Sequence, residues 1–130
     1  MILIDSSVWI GWLRGRIEPH RLLAPWIQTR TVVSCGIVRV EVLRGVVRAE
    51  PRARIESLFD LLEDVPTDAR IWAEAADLGW SLDRTGLVIP ATDLVIAVCA
   101  RRVQATVVTM DSHFAHIPGL SVSASLPRFA

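Results

Sequence analysis

The stretch that decides the fold is ILIDSS, residues 2–7, because three branched apolar side chains lead directly into an acid, Asp5. A short apolar run of this kind predicts a buried β-strand, and Ser6 or Ser7 can cap a helix that follows it. An acid that closes a buried strand must find polar partners or stay in water. Asp5 is therefore open to two interpretations, a turn acid or a carboxylate directed at a bound ligand.

A second stretch, VVTMDSH at residues 107–113, repeats this arrangement and predicts a strand that ends at Asp111. Short apolar strands that alternate with helices predict an α/β fold, with a central parallel sheet covered on both faces. Ligands of such folds bind beyond the carboxyl ends of the strands. If the two strands are neighbours, Asp5 and Asp111 face each other across the same crevice.

The remaining segments follow the same alternation. The pattern predicts helices that begin at Pro19, Pro51, Thr67 and Thr92, the third closed by Gly86, and strands at residues 31–35, 63–66 and, at the sheet edge, 120–124. Residues 36–47 are ambiguous, because Val38, Val40 and Val42 alternate with polar residues as in a strand, yet the longer apolar run also fits a helix. Periodicity alone does not decide between the two.

Two further acids lie where this sheet edge is expected. Asp93 is in the first turn of a buried helix, where an acid alone can serve the helix dipole, an effect of about 0.3–1 kcal/mol. Glu41 lies in the ambiguous segment and alone can pair with Arg44 on a solvated face. Clustered with Asp5 and Asp111, these acids would repel one another and raise each other's pKa values.

A divalent cation would remove that repulsion. Mg²⁺ prefers oxygen ligands and is held by few carboxylates, which leaves coordination positions for water and phosphate oxygens. The hydroxyls of Ser6 and Thr109 are near enough in sequence to support such a site as hydrogen-bonding groups behind the acids.

Composition limits the class of protein. The chain has 130 residues, 52% of them hydrophobic, which is enough for one packed domain over residues 1–130. Fourteen bases balance fourteen acids, so any binding of a polyanion would have to come from a local basic patch. Neither a signal peptide nor a membrane-spanning run is recognisable, and Cys35 and Cys99 lie in apolar segments, as core thiols do in a reducing compartment. We therefore expect a soluble, cytoplasmic protein with no membrane partner.

Four motifs in order resemble the PIN-domain ribonucleases: the strand that ends in DSS, a glutamate about thirty-five residues later, PATDLVIAVCA at residues 90–100, and TMDSHF at residues 109–114. The likeness is greatest to the VapC-type toxins of bacterial type II toxin–antitoxin pairs, which have this length, and it covers essentially the whole chain. It implies a three-layer α/β/α PIN-like domain whose central parallel sheet has four to five short strands. It also implies that Glu41 lies on a helix.

The resemblance implies a chemistry as well. By position, Asp5, Glu41, Asp93 and Asp111 match the family's acids, which bind Mg²⁺ or Mn²⁺ and hydrolyse RNA phosphodiester bonds. Ser6 stands where many members have threonine, and it keeps the hydroxyl. Members typically form homodimers that act on tRNA, rRNA or mRNA, and a cognate antitoxin, here VapB-like, silences them by covering the groove with its C-terminal segment.

Other phosphate chemistries are disfavoured by what the chain lacks. Receiver domains and haloacid-dehalogenase phosphatases need a lysine, and this chain has none; it also has no Gly-rich phosphate loop. The remaining alternative is a PIN-like module that binds RNA or a partner protein without cutting. His113 follows Asp111 by two residues and could act on substrate or metal, but a turn residue beside Phe114 is the favoured interpretation. Trp9 and Trp12 are interpreted as core or dimer contacts.

Overall fold

The computed structural model describes residues 1–129. Five short strands form its central sheet, and all their pairings are parallel: β1 (Ile2–Ile4), β2 (Val32–Ser34), β3 (Glu63–Asp64), β4 (Thr106–Val108) and β5 (Val122–Ser123). The spatial order is β3-β2-β1-β4-β5. The strand of ILIDSS is therefore central, and the two strands predicted to be neighbours, β1 and β4, are paired.

Six α-helices connect the strands: α1 (Ser6–Arg14), α2 (Pro19–Gln28), α3 (Gly36–Arg44), α4 (Ala49–Phe59), α5 (Ala69–Arg84) and α6 (Ala91–Arg102). Successive side chains of β1 point to opposite faces of the sheet, and none is more than 4% exposed, so both faces are covered. This confirms the three-layer α/β/α arrangement. None of the helices described over residues 1–129 has the length and hydropathy needed to cross a membrane.

Helix α6 is buried over seven consecutive residues, Leu94 to Ala100. A helix that is apolar all round must be enclosed by the rest of the protein, as the sequence predicts here. Cys99 lies in this stretch, and both it and Cys35 are buried free thiols. Because the body of α6 is fixed by packing, the first turn, which carries Asp93, is held at the sheet edge.

Gly36–Arg44, the larger part of the ambiguous segment, forms a helix, α3, and not a strand. Val38 and Val42 are fully buried, whereas Val40 is 62% exposed. The buried residues are four apart, which is helical spacing, so the apparent alternation of valines does not describe one face. The helical interpretation that the resemblance implies is confirmed.

Two predicted helix caps are wrong by one or two residues. The N-cap of α5 is Asp68 and not Thr67, because the Asp68 carboxylate accepts a hydrogen bond from the Ile71 N–H at 3.1 Å. The N-cap of α6 is Pro90, so Thr92 lies inside the first turn. Helix α2 begins at Pro19 as predicted, and α4 begins at Ala49, two residues before the predicted proline.

The strand predicted to end at Asp111 ends earlier, at Val108. Thr109 still bonds to β5 through its backbone N–H, but the N–H groups of Met110 and Asp111 bond to side-chain hydroxyls. Once those donors are taken, no strand ladder can continue. Asp111 instead becomes the N-cap of a 3₁₀ helix, Ser112–His116.

Candidate active site

The four predicted acids come from four segments and meet at the carboxyl edge of the sheet. Asp5 directly follows β1, Asp111 follows the neighbouring β4, Asp93 is in the first turn of α6, and Glu41 lies in α3 after β2. The chain leaves β1 toward β2 on one side and later continues with β4 on the other, so this is where strand order reverses. Ligands of open parallel sheets bind at that position.

Asp5 is buried, with 3% of its surface exposed, and hydroxyl groups surround its carboxylate. Its Oδ2 accepts hydrogen bonds from Ser7 Oγ at 2.7 Å and from Thr109 Oγ1 at 2.9 Å. Ser6 Oγ lies 3.5 Å from the other oxygen, Oδ1. These donors satisfy a carboxylate that would otherwise be costly to bury.

The same hydroxyls connect Asp5 to the segment that carries Asp111. The Met110 N–H donates to Ser7 Oγ at 3.1 Å, and the Asp111 N–H donates to Thr109 Oγ1 at 2.9 Å. Each of the two hydroxyls, Ser7 and Thr109, therefore accepts a hydrogen bond from a backbone N–H and donates one to the Asp5 carboxylate. Ser7 is needed for this network and does not cap α1, whose N-cap is Asp5 without a side-chain bond, so the predicted serine cap is wrong.

Glu41 faces the acids and not Arg44. Ser6 Oγ donates to Glu41 Oε1 at 3.2 Å. Over residues 1–129 no ion pair joins Glu41 to Arg44. Burial raises the pKa of the Glu41 carboxyl, and the negative charges of Asp5 and Asp93 raise it further, against the opposing effect of the Ser6 hydrogen bond.

Asp93 is the second acid with a raised pKa. Its side chain is only 13% exposed, and burial is the largest cause of the raised pKa, with the charges of Asp5 and Asp111 adding to it. The neighbouring His113 acts in the opposite direction. Glu41 and Asp93 are each perturbed by the charges of other acids, which is the electrostatic sign that the carboxylates share one pocket.

His113 also lies in this pocket, a position that the turn interpretation of the sequence missed. Its ring Nδ1 is 3.0 Å from Asp111 Oδ1 and 3.2 Å from Asp93 Oδ2. The turn itself exists, since the His113 N–H donates to Asp111 Oδ1 at 2.9 Å, and Phe114 beside it is fully buried. The only sign of this position in the sequence was that His113 follows Asp111 by two residues.

The donor atoms suit a divalent cation. Asp93, Asp111 and His113 each offer one atom, and these three atoms lie within 4.8 Å of one another. Carboxylate oxygens are ligands of hard divalent ions. The charges of neighbouring acids add to burial in raising the pKa values of Asp93 and of the nearby Glu41. Asp5 and Glu41 add two further carboxylates beside this group.

Curated proteins similar to this chain carry ribonuclease names. Ribonuclease VapC11 of Mycobacterium tuberculosis is 28% identical over 121 residues, which cover 88% of this chain and 89% of that protein. VapC ribonuclease Mb1587 of Mycobacterium bovis matches with the same identity and coverage.

Solved structures share the fold. The DNA-bound VapBC from Salmonella typhimurium has a TM-score of 0.79 at 21% identity, and VapBC2 from Rickettsia felis, bound to a promoter DNA fragment, has a TM-score of 0.78 at 23% identity. Each match covers 95% of this chain and 98% of the other. The model of the PIN domain family matches residues 2–120. With its parallel sheet and edge of acids, this chain belongs to the PIN domain family.

Proposed function

We propose that the protein is an endoribonuclease toxin of a toxin–antitoxin pair, which hydrolyses RNA phosphodiester bonds with the help of Mg²⁺ or Mn²⁺. Residues 1–130 would act as a single nuclease domain in the cytoplasm. The observation that carries the proposal is the meeting of Asp5, Glu41, Asp93 and Asp111 at the sheet edge, with raised pKa values at two of them. Membership of the PIN domain family and similarity to proteins named VapC ribonuclease support it.

In the mechanism we propose, the acids have different tasks. A divalent cation, when bound, supplies positive charge beside the scissile phosphate and makes a nearby water more acidic. Asp93 and Asp111 would hold that ion, and Asp5, kept in place by the hydroxyls of Ser7 and Thr109, would contribute its negative charge to the site. Glu41, whose pKa is raised by burial, is suited to accept a proton from the attacking water.

The test replaces Asp5 with asparagine. Asp5→Asn keeps an oxygen for the bonds from Ser7 and Thr109, so the fold should persist, but it removes the negative charge. We expect cleavage of RNA by the purified protein to fall by at least about a hundredfold, and toxicity on expression to disappear. The matched control is Asp77→Asn, which changes an exposed acid on α5.

Two results would contradict the proposal. One is cleavage by Asp5→Asn at the rate of the unsubstituted protein, and the other is a product that ends in a 2′,3′-cyclic phosphate. Attack by water leaves a 5′-phosphate, whereas a cyclic end requires attack by the 2′-hydroxyl of the RNA itself. A PIN-like module that only binds RNA would show no cleavage before or after the substitution.

We propose a VapB-like antitoxin as partner, because the structural neighbours are complexes named VapBC. Two clefts between helices fit a peptide with apolar residues. The larger, of about 1060 Å³, lies between the end of α1, the start of α2 and α4, and the smaller, of about 410 Å³, lies between α1, α3 and the segment after α3. Exposed apolar side chains lie on their borders, Leu61 at the larger and Val47, 96% exposed, at the smaller.

Arginines outnumber acids around these clefts: Arg14, Arg16, Arg48 and Arg54 line them, against Glu18 and Glu50. A partner segment with acids beside its apolar residues would match this pattern.

The remaining parts of the proposal are an RNA substrate, whether tRNA, rRNA or mRNA, and a homodimer as the active form. Size-exclusion chromatography with light scattering checks the dimer.

A further inference from the structure

His113 places a nitrogen atom among the carboxylates of the pocket. Its Nδ1 lies 3.0 Å from Asp111 Oδ1 and 3.2 Å from Asp93 Oδ2, and these three side chains are the group whose donor atoms come within 4.8 Å of one another. None of them is fully buried, and the imidazole side chain is 42% exposed, so an ion can reach them from solvent.

The distances match those between ligands of one ion. In an octahedral shell with metal–ligand distances of about 2.1 Å, adjacent donor atoms are about 3 Å apart. The separations of 3.0 and 3.2 Å from Nδ1 to the two carboxylates are those of adjacent ligands in such a shell. Small rotations of the three side chains would therefore bring them onto a common ion.

The fixed position of Asp111 does not depend on the imidazole. Its Oδ1 accepts the His113 N–H at 2.9 Å, and its own N–H donates to Thr109 Oγ1 at 2.9 Å. Nδ1 is engaged only by the two carboxylate oxygens that would share the ion with it. A neutral imidazole can carry its proton on Nε2, which leaves the Nδ1 lone pair available as a ligand.

We infer that His113 Nδ1 ligates the divalent cation held by Asp93 and Asp111, which makes this a mixed carboxylate–imidazole site that prefers Mn²⁺ to Mg²⁺. The inference rests on the proposed function, since it concerns the same pocket. Carboxylates suit Mg²⁺ and Mn²⁺ alike, whereas imidazole nitrogen suits first-row transition ions. Of these two ions, Mn²⁺ therefore gains more from a nitrogen ligand.

The test is the electron spin-echo envelope modulation of Mn²⁺ bound to the whole protein. A directly coordinated nitrogen produces a modulation that carboxylates and water do not. We expect this modulation in the unsubstituted protein and in His116→Gln, which changes an exposed histidine of the same 3₁₀ helix. It should be absent in His113→Gln.

Calorimetric titration gives a second measurement. His113→Gln should raise the Kd for Mn²⁺ about tenfold or more and the Kd for Mg²⁺ less than about twofold, because the lost ligand matters most to the transition ion. Circular dichroism checks that the variant is folded. If it is not, the spin-echo modulation of the unsubstituted protein still shows whether a nitrogen ligates the ion.

The outcomes separate the two proposals. Bound Mn²⁺ without nitrogen modulation in the unsubstituted protein would overturn the role of His113 and leave the nuclease proposal standing. Equal losses of Mg²⁺ and Mn²⁺ affinity in His113→Gln would overturn the selectivity. If neither ion binds, the metal site itself is wrong, and the proposed function fails with it.

Discussion

At the scale of single residues, Asp5 shows how the protein keeps a charge at the edge of its core. The hydrogen-bond partners of its carboxylate over residues 1–129 are the hydroxyls of Ser6, Ser7 and Thr109, and no ion pair involves it. Neutral donors stabilise a carboxylate without cancelling its charge, which an arginine would do. The negative potential of the pocket is therefore preserved for a cation.

Glu41 allows a prediction about pH. Because burial and neighbouring acids raise its pKa in the folded state, ionising Glu41 costs stability. Below the ordinary pKa of glutamate the group is neutral in both folded and unfolded protein, so the cost is absent. As the pH rises through the raised pKa, the cost appears in full and stability is lost.

We therefore expect Glu41→Gln to be more stable than the unsubstituted protein at neutral pH when metal is removed with a chelator. The difference should shrink as the pH falls below the ordinary pKa of glutamate. Urea unfolding at a series of pH values measures it, and Glu18→Gln, at an exposed position, serves as the control. A variant that is less stable at neutral pH and unchanged in acid would contradict the prediction.

At the scale of elements, the contact between α5 and α6 positions Asp93. A Cβ added at Gly79 of α5 would lie 2.7 Å from Leu94 Cδ1, and Leu94 is the next residue after Asp93. The glycine lets the two helices approach closely, so the packing of α5 decides where α6 presents its acid.

Gly79→Val should destabilise the protein by about 1–3 kcal/mol, because the added methyl groups overpack this contact. Gly11→Ala is the matched comparison, since Gly11 also lies in a helix but has open space around it. It should raise stability by about 0.5–1 kcal/mol through helix propensity. Urea unfolding measures both, and equal or greater stability of Gly79→Val would show that the contact is looser than described.

At the scale of the whole molecule, folding concentrates charge that the composition hides. Fourteen acids balance fourteen bases overall, yet the fold brings four acids from well-separated segments to one edge of the sheet. A cation that binds there binds only the folded state, so it must stabilise the whole fold.

We expect the melting temperature of the metal-free protein to rise with added Mn²⁺. At a free concentration one hundred times the Kd, the gain is about 2.7 kcal/mol, or roughly 10 °C for a chain of this size. Differential scanning fluorimetry measures the shift. The double variant Asp93→Asn, Asp111→Asn should show almost none, and an unchanged melting temperature of the unsubstituted protein at millimolar Mn²⁺ would contradict the site.

Much of the architecture could be predicted from local pattern. Apolar runs next to acids predicted β1 and the neighbouring β4, and the all-apolar surface of α6 predicted its burial. The predicted position of a helix cap was wrong where two adjacent polar residues can each serve as the N-cap, as Thr67 and Asp68 can for α5. The local pattern did not decide the structure of α3, because its valines fit both the two-residue period of a strand and the period of a helix.

The sequence by itself determined the order of the elements and the four acids that follow or flank its strands, since these depend on spacing along the chain. Only the tertiary structure decided that Ser7 binds Asp5 and Met110, and that His113 lies between Asp93 and Asp111. Those contacts join residues up to about a hundred positions apart, and a hydrogen bond depends on distance in space, which spacing along the chain does not encode.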